Sequence, residues 1–283
     1  MLNRQSPDRE QRLRARVLTA LRQHGSGHVS SMARPEAGVL VASYNVHKCV
    51  GTDKRCDPGR TASVIAEIGA DIIALQEADK RFGEKAGLLD IHRLERECGL
   101  VPAPTPGRLH GQGWHGNLLL FREGIVRDVH QIRLPGIEPR GALMVDVDLS
   151  GGPMRIVAAH LGLLRRSRAQ QAQAIISAIS MRSDRPTLLL GDFNEWRVGA
   201  GSSLLNLDPA FGPVHSSPPS FPSRFPVFAL DRIMSKPHDL ISGMEVHRTP
   251  LARQASDHLP IKAMIDLAAA GLEPTDRAAM LAA

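Results

Sequence analysis

Short apolar runs in this chain repeatedly end in acidic, amide or imidazole side chains. Asn45 follows VLVASY, Glu77 follows IIALQ and His160 follows IVAA. Asp192 and Asn194 close LLLGDFN, Asp231 follows FAL, and Asp257 with His258 stands in SDHLP. Strand ends are where a rigid scaffold presents reactive groups. Carboxylate and amide oxygens are the hard ligands that Mg²⁺ prefers, with Mn²⁺ able to take its place, and no Cys or His cluster has zinc spacing. His160 and His258 add groups that donate or accept protons near neutral pH. These are the parts needed to hydrolyse a phosphate ester with the help of a divalent metal. Each residue alone has a plainer reading. Asn45 can cap a turn, Glu77 can pair with an arginine, Asp257 can cap the segment after Ser256, and His160 can be a satisfied structural histidine.

The elements that must position these groups are partly readable. Strands are expected at Val39–Tyr44, Asp71–Leu75, Leu118–Phe121, Leu188–Leu190, Leu230–Met234 and Ile261–Ile265. Ala142–Asp148 and Met154–Ala159, joined by the turn Ser150, Gly151, Gly152, Pro153, should form an antiparallel hairpin. Pro58–Gly69 carries Val64, Ile65 and Ile68 at helical spacing, and Ser167–Arg182 reads as a helix with Ser167 as its cap. The proline-rich stretch Pro209–Pro226 lacks periodicity, so it is a long loop that shapes something rather than a linker.

Three segments follow: a basic helix and linker over 1–36, one domain over 37–267, and an Ala-rich tail over 268–283. The first segment carries Leu13, Val17, Leu18 and Leu21 on one stripe with Arg12, Arg14 and Arg16 elsewhere. It is either a solvated helix packed on the domain or an arm making peripheral contact with anionic surfaces. The formal charge of +6 suits an anionic substrate without choosing one. Seven Phe, two Trp and one Tyr leave few platforms for stacking single-strand bases. Cys49, Cys56 and Cys98 form no CxxC pair and read as free thiols in a reducing compartment. No stretch approaches the roughly 20 apolar residues of a transmembrane segment, so a cytoplasmic setting is expected.

In order, SYNVHKCVG, LQEAD, HGNLLLF, AAHLGL, LLGDFNEW, LDRIM and ASDHLPI resemble the endonuclease/exonuclease/phosphatase superfamily, the DNase-I-like fold, from Val39 to about Ile265. The resemblance implies an α/β (α+β) four-layered sandwich: two mixed β-sheets face to face, flanked by helices, with the site at one rim. It implies Glu77 as main metal ligand, supported by Asn45, with Asp257 close by. It gives Asp192 the attacking water, Asn194 the phosphate, and Asp231 the orientation of His258, which acts as base or as charge-stabilising donor. Asp192 and Asn194 point the same way if the chain between them is extended. His160 would contact the phosphate or protonate the leaving oxygen.

Two departures stand out. His47 occupies a position where many nuclease members carry an acid, which puts a second carboxylate on the metal in doubt. Arg232 follows Asp231, where it either meets a substrate phosphate or pairs with a carboxylate. Arg140 in EPRGAL and Arg165, with Arg166 and Arg168, either clamp phosphate or form a solvated helix start. The implied activity is a phosphodiesterase acting on DNA, RNA or a phospholipid headgroup. The alternatives are a phosphomonoesterase of the same fold, or a non-catalytic module that binds anionic lipid or nucleic acid.

Overall fold

Alternation along β1 (Gly38–Asn45) sends Val41 into one apolar layer and Ala42 and Tyr44 into another. The same two-sided burial recurs through the molecule. It is seen in a computed structural model describing residues 38–79, 87–105, 113–212 and 217–267. The basic helix expected within 1–36 and the tail over 268–283 lie outside the described residues.

One sheet has the order β10 (Ile241–Val246), β11 (Ile261–Asp266), β1, β2 (Ile72–Gln76), β4 (Leu118–Phe121), β3 (Val101–Pro102). The other has the order β5 (Ile125–Leu134), β6 (Arg140–Leu149), β7 (Gly152–His160), β8 (Thr187–Asp192), β9 (Asp231–Lys236). Each sheet contains one parallel pair, β1 with β2 and β7 with β8, among antiparallel neighbours. Both sheets are therefore mixed. The expected hairpin is present as β6 and β7, paired from Ala142↔Ala159 to Leu149↔Gly152.

Three apolar layers hold the sheets and helices together. Between the sheets lie Val41, Ile72, Ala74 and Leu119 from one side and Val145, Ile156, Leu188 and Ile233 from the other. Outside the first sheet, Ile73 and Leu75 pack under α1 (Pro58–Ile68), α2 (Ile91–Cys98) and α5 (Pro250–Ala255), through Val64, Ile65, Leu94 and Ala252. Outside the second, Val157, Leu189 and Met234 meet Ile175 and Ile179 of α3 (Arg165–Ser180) and Phe211 of α4 (Asp208–Phe211). The order helix, sheet, sheet, helix is the expected four-layered sandwich.

α1 starts as its sequence dictates: the Asp57 carboxylate accepts from Arg60 N at 2.8 Å, Pro58 needs no donor, and Gly69 takes φ 65° at the end. α3 starts two residues before the expected cap. Leu164 precedes it without a side-chain cap, and Ser167 is buried in its first turn under Gly136. Across β6 and β7, Arg155 donates to both carboxylate oxygens of Asp146 at 2.7 and 2.9 Å and to Ser183 O at 3.0 Å. That is a fully buried, fork-shaped ion pair.

Candidate active site

His160, Asp192 and Asp231 are direct neighbours in register across β7, β8 and β9. Their strands point Ala158, Leu190 and Ile233 into the layer between the sheets, so alternation carries these three polar residues to the rim of that layer. Asn45, two residues beyond Ser43 on β1, arrives from the opposite sheet by the same alternation. Its Nδ2 donates to Asp192 Oδ2 at 2.9 Å, a buried hydrogen bond that ties the two sheets together at the site. Asn194 N donates to the other oxygen, Asp192 Oδ1, at 2.9 Å. His160 Nε2 and His258 Nε2 lie 3.6 and 3.7 Å from Asp192 Oδ2.

Asn45, His160, Asp192, Asn194 and His258 line a cleft of about 500 Å³ that is also bordered by His47, Lys48, Glu77, Asp79, His115, Glu138, Arg140, Phe221 and Asp257, with Asp231 buried behind His258. Glu77 follows the last residue of β2 and adopts φ 55°, and Asn194 adopts φ 51°. Left-handed backbone at non-glycine residues is a strain that functional sites tolerate. The local chain at Asn194 is thus not extended, yet Asp192 and Asn194 both line the cleft.

The two histidines differ in charge. Burial disfavours an imidazolium at His258, but Asp231, Asp192 and Asp257 outweigh it and push its pKa up to about 10. The decisive contact is His258 Nδ1 to Asp231 Oδ2 at 2.8 Å. Burial also acts on His160 and there prevails: with Arg140 adding positive charge, its pKa falls to about 4. Arg140 Nη1 lies 2.9 Å from both ring nitrogens of His160. A guanidinium carries only donors and a fixed positive charge, so its place against the ring disfavours a second charge there. At neutral pH, of these two histidines, His258 is therefore the imidazolium and His160 the imidazole.

For a divalent metal, the donors that fit are Glu77, Asn45 Oδ1 and Asp257, all oxygen and all on the cleft. Burial would raise the Glu77 pKa, but the hydrogen bond and charge of Lys48 prevail and lower it, so a carboxylate is available. Lys48 Nζ pairs with Glu77 Oε2, showing that this carboxylate attracts a cation. Asp192, Asp231 and His258 also bring ligand atoms within 4.8 Å of one another. In that trio His258 Nδ1 is already engaged by Asp231 at 2.8 Å, and both Asp192 oxygens accept hydrogen bonds from Asn45 and Asn194.

Two sequence expectations are not brought to the cleft. Arg232 alternates with Asp231 on β9, so it points to the α3 side, buried, with Nη2 donating to Glu195 O at 2.9 Å. Arg165 is exposed at the start of α3 and lines a separate hollow with Arg166 and Leu205. Arg168 is buried on Glu195 and Ser203 at 3.0 and 2.9 Å. Arg140 does reach the cleft.

Other residues at the site were not legible. Glu138 Oε2 accepts from Arg140 Nη2 at 2.9 Å. Ser220 Oγ donates to Asp231 Oδ2, and the Phe221 ring packs on His258 with centroids 4.8 Å apart. Ser256 Oγ donates to Asn45 O at 2.7 Å and accepts from His258 N at 3.2 Å. Ser220 and Phe221 belong to the proline-rich loop, whose length and lack of period were the only signals available. His47 faces the acid it does not replace, with Nδ1 3.5 Å from Asp257 Oδ1.

A sandwich of two mixed sheets with this rim of Asn, Glu, Asp and His defines a class, and the chain belongs to the endonuclease/exonuclease/phosphatase family, whose model matches residues 42–258. That family comprises phosphoric ester hydrolases that generally use a divalent metal. The chain is 32% identical to "Uncharacterized protein YbhP" of Escherichia coli (strain K12), over 252 residues that span 80% of this chain and 96% of that protein. In fold it is similar to the endonuclease/exonuclease/phosphatase from Bacteroides vulgatus, with TM-score 0.62 and 18% identity over 84% of this chain and 100% of that one. It is likewise similar to D. rerio TDP2 complexed with single strand DNA product, with TM-score 0.59 and 14% identity over 82% and 100%.

Proposed function

We propose that the protein is a divalent-metal-dependent phosphodiesterase that acts by in-line attack of water on a phosphate diester. The observation that carries this reading is the buried Asp192 carboxylate, held on one oxygen by Asn45 and on the other by Asn194, with both histidines beside it. A carboxylate so fixed presents its remaining lone pairs to one place in the cleft, where it takes the proton of an attacking water.

The charge states assign the other roles. The His258 imidazolium, oriented by Asp231 and seated by Ser256, stabilises negative charge on the phosphoryl oxygens, so it serves as donor rather than base. Neutral His160, backed by Arg140, hydrogen-bonds the leaving side, with Arg140 adding charge for the phosphate. The Asn194 amide borders the same space. Glu77, Asn45 and Asp257 would hold the metal, Mg²⁺ or Mn²⁺ by their oxygen chemistry, and when bound it supplies Lewis acidity toward the phosphate.

DNA, RNA and phospholipid headgroups share the phosphodiester that this site addresses. The free thiols Cys49, Cys56 and Cys98 agree with a reducing, cytoplasmic setting. Among the described residues no helix is long and apolar enough to cross a membrane.

The test uses bis(p-nitrophenyl) phosphate with Mg²⁺. Asp192→Ala should lose roughly 10²–10⁴-fold in turnover, the range for removing a positioned proton acceptor, with an unchanged circular dichroism spectrum. EDTA should abolish activity and excess Mg²⁺ should restore it. Near-wild-type turnover in Asp192→Ala under matched metal would overturn the assignment.

A further inference from the structure

Large apolar side chains exposed on the described surface are few, and several of them gather beside the cleft mouth. Ile137 is 83% exposed, Leu163 66% and Leu164 48%. Ile137 sits on the loop between β5 and β6, and the two leucines sit just ahead of α3. The two segments are locked together. Leu163 N donates to Glu138 Oε1 at 2.7 Å, and Gln171 Nε2 of α3 donates to Pro135 O at 2.9 Å. The apolar tips are therefore held out on a firm base rather than on loose loops.

Charge accompanies them. Arg165 and Arg166 follow the leucines, exposed, and border a hollow of about 490 Å³ with Leu205, itself 42% exposed. Glu138, the acid on these two segments, is turned inward and satisfied by Leu163 N and Arg140. Exposed apolar tips flanked by arginines, with the acid withdrawn, match one environment: the boundary between anionic headgroups and acyl chains. Nucleic acid would use the arginines but leave the isoleucine and leucines in water. Leu163 and Glu138 also line the cleft, so whatever the rim touches is presented to the site.

We propose that this rim docks the cleft onto an anionic phospholipid surface, so that the diester the site faces is a phospholipid headgroup. The second half of that statement rests on the phosphodiesterase reading of the cleft; the docking itself does not. Two measurements on the full chain separate them: co-sedimentation with phosphatidylglycerol-containing or pure phosphatidylcholine vesicles, and hydrolysis of soluble bis(p-nitrophenyl) phosphate.

The wild type should sediment with the anionic vesicles and poorly with the neutral ones. Ile137→Glu with Leu164→Glu should weaken that binding about tenfold or more, because two apolar anchors become repelled charges. The same double variant should hydrolyse the soluble diester at the wild-type rate, which shows that it is folded. Arg165→Ala with Arg166→Ala should weaken vesicle binding by about twenty-five-fold at low salt, near fivefold per arginine. Equal sedimentation of wild type and both variants would overturn the docking, since attachment through residues 1–36 leaves the rim changes silent. Binding to duplex DNA with no vesicle binding would also overturn it. Rim-dependent vesicle binding without hydrolysis of any diester would support the docking and overturn the headgroup assignment.

Discussion

Replacing Asp231 with Asn isolates the charge on His258, because the amide keeps the shape and an acceptor oxygen while removing the formal charge. Asp231 Oδ2 lies 2.8 Å from His258 Nδ1, and both residues are buried. Two unit charges about 4 Å apart at an effective dielectric near 20 interact by about 4 kcal/mol, which is about three pKa units. The His258 pKa, held at about 10 in the wild type, should therefore fall to about 7 in the variant. The assay is the pH dependence of kcat/KM on bis(p-nitrophenyl) phosphate at saturating Mg²⁺. If the imidazolium is the active form, Asp231→Asn should lose about thirtyfold between pH 6 and 8.5, and the wild type should show no such loss from this group. Stability follows the same sign. A raised folded-state pKa contributes stability that is fully present below about 6.5 and is lost as pH rises through about 10. The variant should thus be several kcal/mol less stable than wild type near pH 6, with the gap narrowing through pH 7–10. An alkaline limb unchanged by Asp231→Asn would refute the role of His258 as a charged donor.

Gly191→Ala should cost roughly 3 kcal/mol or more in urea unfolding, because a Cβ there meets Ala159 O at 1.8 Å with φ at 147°, which forces β7 and β8 apart beside His160 and Asp192. Arg155→Met should cost about 3–5 kcal/mol by leaving Asp146 charged and buried, and the double change Arg155→Met with Asp146→Leu should recover most of it. In calorimetric Mg²⁺ titrations, Glu77→Gln should weaken binding by roughly tenfold or more, since a charged hard ligand becomes neutral. Lys48→Met should tighten it in the same titration, because the ammonium that pairs with Glu77 no longer competes.

The central strands were legible because each is buried on both faces and reads as a short apolar run, as in Leu188–Leu190. The edge strands β5 and β10 were not. β5 alternates exposed Arg133 with buried Ile132 and Leu134 only over its last residues, and β10 buries little of itself. α2 and α5 are too short for a 3.6-residue period to declare itself. Site residues at strand ends could be found one by one, but their partners come from far along the chain. Ser256 on Asn45 O spans 211 positions and Asn45 on Asp192 spans 147. Arg232 shows the opposite limit: adjacency to Asp231 in sequence means the opposite face of a strand, a consequence of register that motif reading does not apply.

Register also explains why Glu77 needs an unusual backbone. Ile73 and Leu75 of β2 point to the helix layer, so continued alternation would send Glu77 there too, away from Asn45 and Asp192. Instead φ turns to 55° at Glu77, and Lys48 N donates to its carbonyl at 3.2 Å while the Lys48 ammonium meets its carboxylate. His47, Lys48 and Cys49 are left-handed as well, at 45°, 53° and 58°. The left-handed run from His47 to Cys49 and the left-handed Glu77 thus face each other across the ends of β1 and β2, joined through Lys48. Strain of about 1–3 kcal/mol per residue persists only where the surroundings enforce it. Here it converts two strand ends that would bury an acid under helices into a cleft wall that presents it.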